Sequence, residues 1–323
     1  MTTAPIHKVR AVLPLILLVA CGPDSTTRPL AVPLGPSFSL TTAEWSTPVN
    51  IGPPVNTTAG EMNAAFSPDE LSLYFTSDRP GGLGSTDIWV SHRDCIDCLW
   101  QTPVNLGAPF NSPTQDAGPR LSNDGHLLFF QSDRPGGPGQ GDIYVSRRSN
   151  PNSDFDWGPP VLLGGDVNTA TGVENAAAYL QSAEDGSGNL YFNRATGTAP
   201  PDLYYAAVSR DGETRGPAVV VAELNMATSN DQHATVRKDG REIFFSSNRT
   251  GGVGGFDLYT STRQDVHEPW SQPVDLAAPM NSTVTDQQPS LSADGRTLIF
   301  ASNRPGTLGA NDLWISTRSP SDH

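Results

Sequence analysis

One stretch of this chain recurs around its length. "SDRPGGLGSTDIW" at 77–89 returns as "SDRPGGPGQGDIY" at 132–144, "SNRTGGVGGFDLY" at 247–259 and "SNRPGTLGANDLW" at 302–314, with an altered copy, "FNRATGTAPPDLY", at 192–204. An Asp in an S-x-D-G-like turn keeps the same beat: Asp69, Asp124, Asp185, Asp239 and Asp294. Self-similarity at such a period marks a modular fold. Within each unit, four β-type segments alternate with turn chemistry. The first precedes the S-x-D-G turn, the second follows it ("LSLYFTS", "HLLFFQS", "EIFFSS", "TLIFAS"), the third begins at Asp ("DIWVSHR", "DIYVSRR") and the fourth carries Pro-Val, usually led by Trp. Four antiparallel strands repeated with short turns predict propeller blades around one axis. A sandwich would not require five equivalent units.

The count also predicts how the ring closes. The fifth unit stops at "DLWISTR", and its fourth segment is missing. "WSTPVNIG" at 45–52 precedes the first blade and matches the Trp-x-x-Pro-Val pattern. The expected fold is therefore all-β: a five-bladed propeller of four-stranded antiparallel blades over 44–319, in which an N-terminal strand completes the last blade.

The motif "FSPDELSLYFTSDRPGGLGSTDIWV" in the first blade resembles the WD40-like, TolB-type repeat often called PD40, although Glu70 stands where that repeat usually has Gly. The resemblance covers about 44–318, and the third blade departs from it through the insertion "SAEDGSGN" and the loss of S-D-R-P-G-G. It implies the propeller fold. For function it implies only a range, from periplasmic binding partners of envelope complexes to propellers attached to peptidases.

Two residue series recur with the blades. Arg79, Arg134, Arg194, Arg249 and Arg304 each stand eight residues before an acid: Asp87, Asp142, Asp202, Asp257 and Asp312. A guanidinium facing a carboxylate across a Gly-rich turn would make charge-assisted bonds, so the pairs are read as structural latches. The second series, Glu61, Asp116, Glu174, Asp231 and Asp286, stands at the entry to each innermost strand, with Asn56, Asn111, Asn168, Asn225 and Asn281 just before. These acids are expected to ring the mouth of the central channel. There they would either lock blade to blade or bind a polar ligand, with Ca²⁺ as the cation such an oxygen-lined ring would suit. Asn63, His233 and Gln288 are expected to extend that ligand-binding funnel. Residues present in every blade serve the blade, so catalysis should show as a break in the pattern; no catalytic residue is assigned, and the histidines show no metal-ligand spacing.

Residues 1–20 read as an export signal: His7, Lys8 and Arg10 precede "AVLPLILLVA" and then Cys21. "LVAC" resembles the bacterial lipobox, which implies lipidation of Cys21. Residues 21–43 read as a flexible tether, and Gly22 after the Cys points to the outer membrane. Cys95 and Cys98 are expected to pair as a local disulfide in an exported chain. The formal net charge of −14 repels phosphate backbones, which argues against nucleic-acid partners. The functional expectation is a monomeric, non-catalytic envelope lipoprotein. It would touch the membrane only through its lipid and offer its funnel to a protein or glycan. The alternative is a carbohydrate-active hydrolase or lyase on the same scaffold.

Overall fold

The computed structural model describes residues 44–319 and Met1. The signal, Cys21 and the tether lie outside the described residues. All regular structure in the described part is β, in five four-stranded antiparallel sheets. In chain order β1 is Val49–Asn50. Blade 1 then holds β2 (Glu61–Phe66), β3 (Ser72–Ser77), β4 (Asp87–His92) and β5 (Val104–Asn105). Blade 2 holds β6 (Asp116–Leu121), β7 (Leu127–Ser132), β8 (Asp142–Arg147) and β9 (Val161–Leu162). Blade 3 holds β10 (Gly172–Gln181), β11 (Gly188–Thr196), β12 (Asp202–Val208) and β13 (Thr214–Val220). Blade 4 holds β14 (Asp231–Val236), β15 (Glu242–Ser247), β16 (Asp257–Thr262) and β17 (Val274–Asp275). Blade 5 holds β18 (Asp286–Leu291), β19 (Thr297–Ser302) and β20 (Asp312–Thr317), and its fourth strand is β1. Val49 pairs with Ile315 and Asn50 with Trp314, so the ring closes through the N-terminal strand.

Why the second strands are apolar without interruption follows from the stacking. Neighbouring side chains on a strand face opposite sides, and each side meets another blade. Leu73 and Phe75 pack with Ile299, Ala301 and Leu313 of blade 5. Tyr74, between them, packs with Leu128, Phe130 and Tyr144 of blade 2. Five such cores fill the five joints between blades.

The glycines of the repeated hairpin explain themselves at the same joints. A Cβ on Gly84 would stand 1.6 Å from the Thr114 carbonyl oxygen of the next blade; on Gly254, 1.8 Å from that of Val284; on Gly309, 1.7 Å from that of Ala59. These three hairpin tips thus lie backbone to backbone against the following blade, where only glycine fits; the altered turn of blade 3 has Ala199 at this place. Gly84→Ala must push that contact apart. The expected loss is about 3 kcal/mol, read as a fall in the urea midpoint with unchanged slope.

Each innermost strand carries a register shift, between Met62 and Ala65 in blade 1 and at the matching places in the other four. At these bulges Asn63, Gly118, His233 and Gln288 have φ between 51° and 65°. Gly118 adopts that geometry freely, whereas the other three hold a left-handed conformation against their side chains.

Candidate functional site

The acids at the strand entries do not converge on the channel. Glu61, Asp116, Glu174, Asp231 and Asp286 are all 0% exposed. Each meets an arginine of its own blade: Arg79–Glu61, Arg134–Asp116, Arg194–Glu174, Arg249–Asp231 and Arg304–Asp286, at 2.5–3.0 Å. The latch pairing read from the eight-residue spacing is thereby corrected: these arginines pair with the entry acids, not with Asp87, Asp142, Asp202, Asp257 and Asp312. Register gives the reason. Ser77 sits opposite Asp87 on one side and Glu61 on the other, and Arg79, two residues on, folds back toward Glu61. Asp87 instead accepts the N–H of Leu83 at 2.6 Å inside the hairpin, as Asp257 accepts those of Val253 and Gly254. Burial raises the carboxyl pKa of Glu61 and Glu174, and of Asp87, Asp142, Asp202 and Asp257.

Each of these arginines is also enclosed on its other sides. Its guanidinium lies 4.8–5.4 Å from two aromatic rings, such as Phe245 and Tyr259 for Arg249. It also donates to a main-chain carbonyl, Leu224 in the case of Arg249. The blade-to-blade bond comes from the Asn series. Asn111, for example, accepts from the N–H of Ile88 in the preceding blade and donates to its carbonyl. Asn56 does the same with Leu313 across the closure. The entry acids thus belong to the scaffold. Among the described residues no group of three or more His, Cys, Asp or Glu is placed to hold a metal ion.

A second arginine series escaped the sequence reading. Arg93, Arg148, Arg263 and Arg318 lie 4.1–4.7 Å over Trp100, Trp157, Trp270 and Trp45, and each donates to a carbonyl of its own S-x-D-G-like turn. Blade 3 has Val208 at this position and no Trp leading β13. The paired loss was the available signal. Cys95 and Cys98 are joined in a disulfide in the loop between β4 and β5.

What breaks the fivefold pattern lies along the channel and at its rim. In the channel wall, His233, Asn63 and Gln288 are each no more than 8% exposed. They are linked to their surroundings through the bulges: the Asn63 N–H donates to Gln288 Oε1, the His233 N–H to Asn193 Oδ1 and the Gln288 N–H to Ser246 Oγ. Burial, reinforced by the charge of Arg120, lowers the His233 pKa to about 3. His233 is therefore a neutral imidazole across the whole physiological range, unsuited to proton shuttling near neutrality.

At the rim, the residue before the latch arginine is exposed in four blades, whereas its blade 3 counterpart, Asn193, is buried. The exposed residue is Asp78 in blade 1 and Asp133 in blade 2, but Asn248 in blade 4 and Asn303 in blade 5. Asp78 accepts the N–H of Gly60 at 2.7 Å, as Asn248 and Asn303 accept those of Asn230 and Thr285. At Asp133 the contact is different: its own N–H donates to the Gln115 carbonyl. Adjacent blades therefore present two accessible carboxylates in unequal settings, on the end of the ring where the innermost strands begin. Asp and Asn alternate at this place of the repeat motif, which hides the chemical difference in the sequence.

No family model matches the chain, and no curated protein matches it. Solved structures do. An α-L-arabinofuranosidase from Lactobacillus brevis superposes with a TM-score of 0.58 at 13% identity, over 82% of this chain and 92% of that one. An endo-arabinase from Bacteroides thetaiotaomicron superposes at 0.57 and 14%, over 86% and 99%. TolB from Acinetobacter baumannii follows at 0.49 and 15%, over 81% and 55%. Identities this low establish a shared five-bladed propeller. The expectation of a non-catalytic, TolB-like binding module is corrected to this extent: the arabinofuranosidase and the endo-arabinase, both above a TM-score of 0.5, are the neighbours this fold resembles.

Proposed function

We propose that this chain is a carbohydrate-active hydrolase, with Asp78 and Asp133 as its reacting carboxylates. The observation that carries this reading is the broken symmetry of the rim. Where blades 4 and 5 use amides, which can neither give nor take a proton, blades 1 and 2 use acids open to solvent. Glycoside hydrolysis needs such a pair, one to protonate the departing oxygen and the other to activate water or attack the anomeric carbon. The setting of Asp78, tied to Gly60, differs from that of Asp133, which suits a division of roles. Half-buried Asn175, Gln232 and Gln287, just inside the strand entries, offer amide donors and acceptors to sugar hydroxyls. Further support comes from the fold shared with arabinan- and arabinoside-cleaving enzymes.

The test is a screen of aryl glycosides, arabinofuranosides first, and of arabinan by reducing-end release. Asp78→Asn and Asp133→Asn should each lower turnover by about 100-fold or more with melting unchanged, while Asp294→Asn, in a turn of the far face, should have no effect. A wild-type protein inactive across the panel, or both rim variants at wild-type turnover, would overturn the reading.

A further inference from the structure

The opposite end of the channel is built differently. Five residues occupy equivalent places there, four past each entry acid: Ala65, Arg120, Ala178, Thr235 and Ser290. Four are small, and one is a cation only 5% exposed. Arg120 Nη1 donates to the carbonyls of Ala64 at 2.9 Å and Pro119 at 2.7 Å. The blades with small residues at this place form the same bulge without an arginine, so the fold itself does not demand the charge. Removing a guanidinium from water is costly, and burial lowers the Arg120 pKa to about 10.

This end opens into a cavity of about 120 Å³, large enough for a tetrahedral oxyanion or a carboxylate group rather than one water molecule. Its rim comes from the S-x-D-G turns, and here too one blade departs from the rest. Where the other lining turns place Pro68, Asn123 and Ala293, blade 4 places the exposed Lys238. Among the described residues no Asp or Glu lines the cavity. The turn aspartates are drawn back into their own turns, Asp124 by the Ser122 hydroxyl, Asp294 by that of Ser292 and Asp239 by Arg237. Thr235, whose hydroxyl accepts the Leu291 N–H, and Ser290 line the cavity together with Arg120. Deeper in the channel, His233 Nδ1 and Asn63 Oδ1 are buried without a hydrogen-bond partner among the described residues, as expected of a wall built to meet a polar guest. In a chain of net charge −14, a cavity lined by two cations and no acid runs against the overall balance.

We propose that this end of the channel binds a small oxyanion, a carboxylate or a phosphate-like group. Arg120 supplies a planar, charge-assisted donor at the floor, and Lys238 supplies a second charge at the mouth. The site is on the other face from Asp78 and Asp133 and does not depend on the hydrolase reading.

Isothermal titration of the whole chain with inorganic phosphate, sulfate and galacturonate, at equal ionic strength in chloride, tests it. At least one of these anions should bind with one-to-one stoichiometry, and the order of affinities separates a phosphate site from a uronate site. Arg120→Met should weaken binding at least about tenfold, and Lys238→Ala about threefold, in line with the loss of charge-assisted bonds. Lys238 is exposed, so its variant decides the matter even if Arg120→Met fails to fold. Absence of binding by all three anions would overturn the proposal, as would wild-type affinity in Lys238→Ala or in a folded Arg120→Met.

Discussion

A chain that begins at residue 53 should melt roughly 10 °C below one that begins at residue 44, and it should associate where the longer chain does not. The reason is the composition of blade 5. Beyond the two strand pairs of β1, Ser46 donates its N–H to the Thr317 carbonyl and Ile51 its N–H to that of Leu313. The Ser316 hydroxyl bonds the Ser46 carbonyl at 2.6 Å. Asn50 Nδ2 reaches Asp312 Oδ2 at 2.7 Å. Trp45 lies under Arg318 at 4.7 Å and edge-on to Phe244 of blade 4 at 5.8 Å. Losing about four net hydrogen bonds and an aromatic contact removes about 4 kcal/mol, which for a domain of this size is roughly 10 °C. The cut also bares the whole edge of β20, whose unpaired N–H and C=O groups invite another chain. A synthetic peptide of residues 44–52 should restore the melting temperature by adding back the strand. Equal melting and a monomeric shorter chain, by calorimetry and light scattering, would show that the ring is held elsewhere.

That closure was legible because it rests on counting: five third strands, four fourth strands after them and one left over at the front. Blade number, strand order and the degeneracy of blade 3 were readable for the same reason. A repeat fixes what each unit must be, and the apolar runs of β3, β7, β15 and β19 need no further information. Side-chain pairing was not readable from spacing. Arg249 and Asp257 stand close in sequence and flank one hairpin, yet Asp257 is occupied by hairpin N–H groups. The partner of Arg249 lies eighteen residues earlier. That interval of eighteen recurs in four blades and becomes twenty only in blade 3, so a signal existed, but it competed with a shorter and more obvious one. The left-handed backbone at His233 and Gln288 had no sequence signature, because only Gly118 among the described bulges carries the residue such a bend prefers. The rim acids were hidden for the opposite reason. Asp78 and Asn303 play the same structural part, so the chemical difference between them disappears when the repeats are aligned for likeness.

Replacing Arg249 with Met should cost about 3–5 kcal/mol, the loss characteristic of a buried charge left alone. Asp231 is 0% exposed and 2.6 Å from the guanidinium. Without the arginine it keeps the N–H of Met226 at 2.7 Å, which does not neutralise it. Arg249 also donates to Ser247 Oγ at 2.9 Å and to the Leu224 carbonyl at 2.7 Å, so part of the loss will be these groups rather than the ion pair. A double-mutant cycle separates the two. With Asp231→Asn as the second change, the pair should show a coupling of about 2 kcal/mol, because the amide no longer needs the cation. With Asp257→Asn instead, the coupling should fall within about 0.5 kcal/mol of zero, since Asp257 makes its bonds to the turn. Urea unfolding of the wild type, the three single variants and the two double variants measures both couplings on one footing. A coupling that follows Asp257 would mean that guanidinium and hairpin acid meet in solution. In that case the fivefold scaffold of entry acid, arginine and paired rings would have to be redrawn, and with it the grounds for treating only the unrepeated residues as functional.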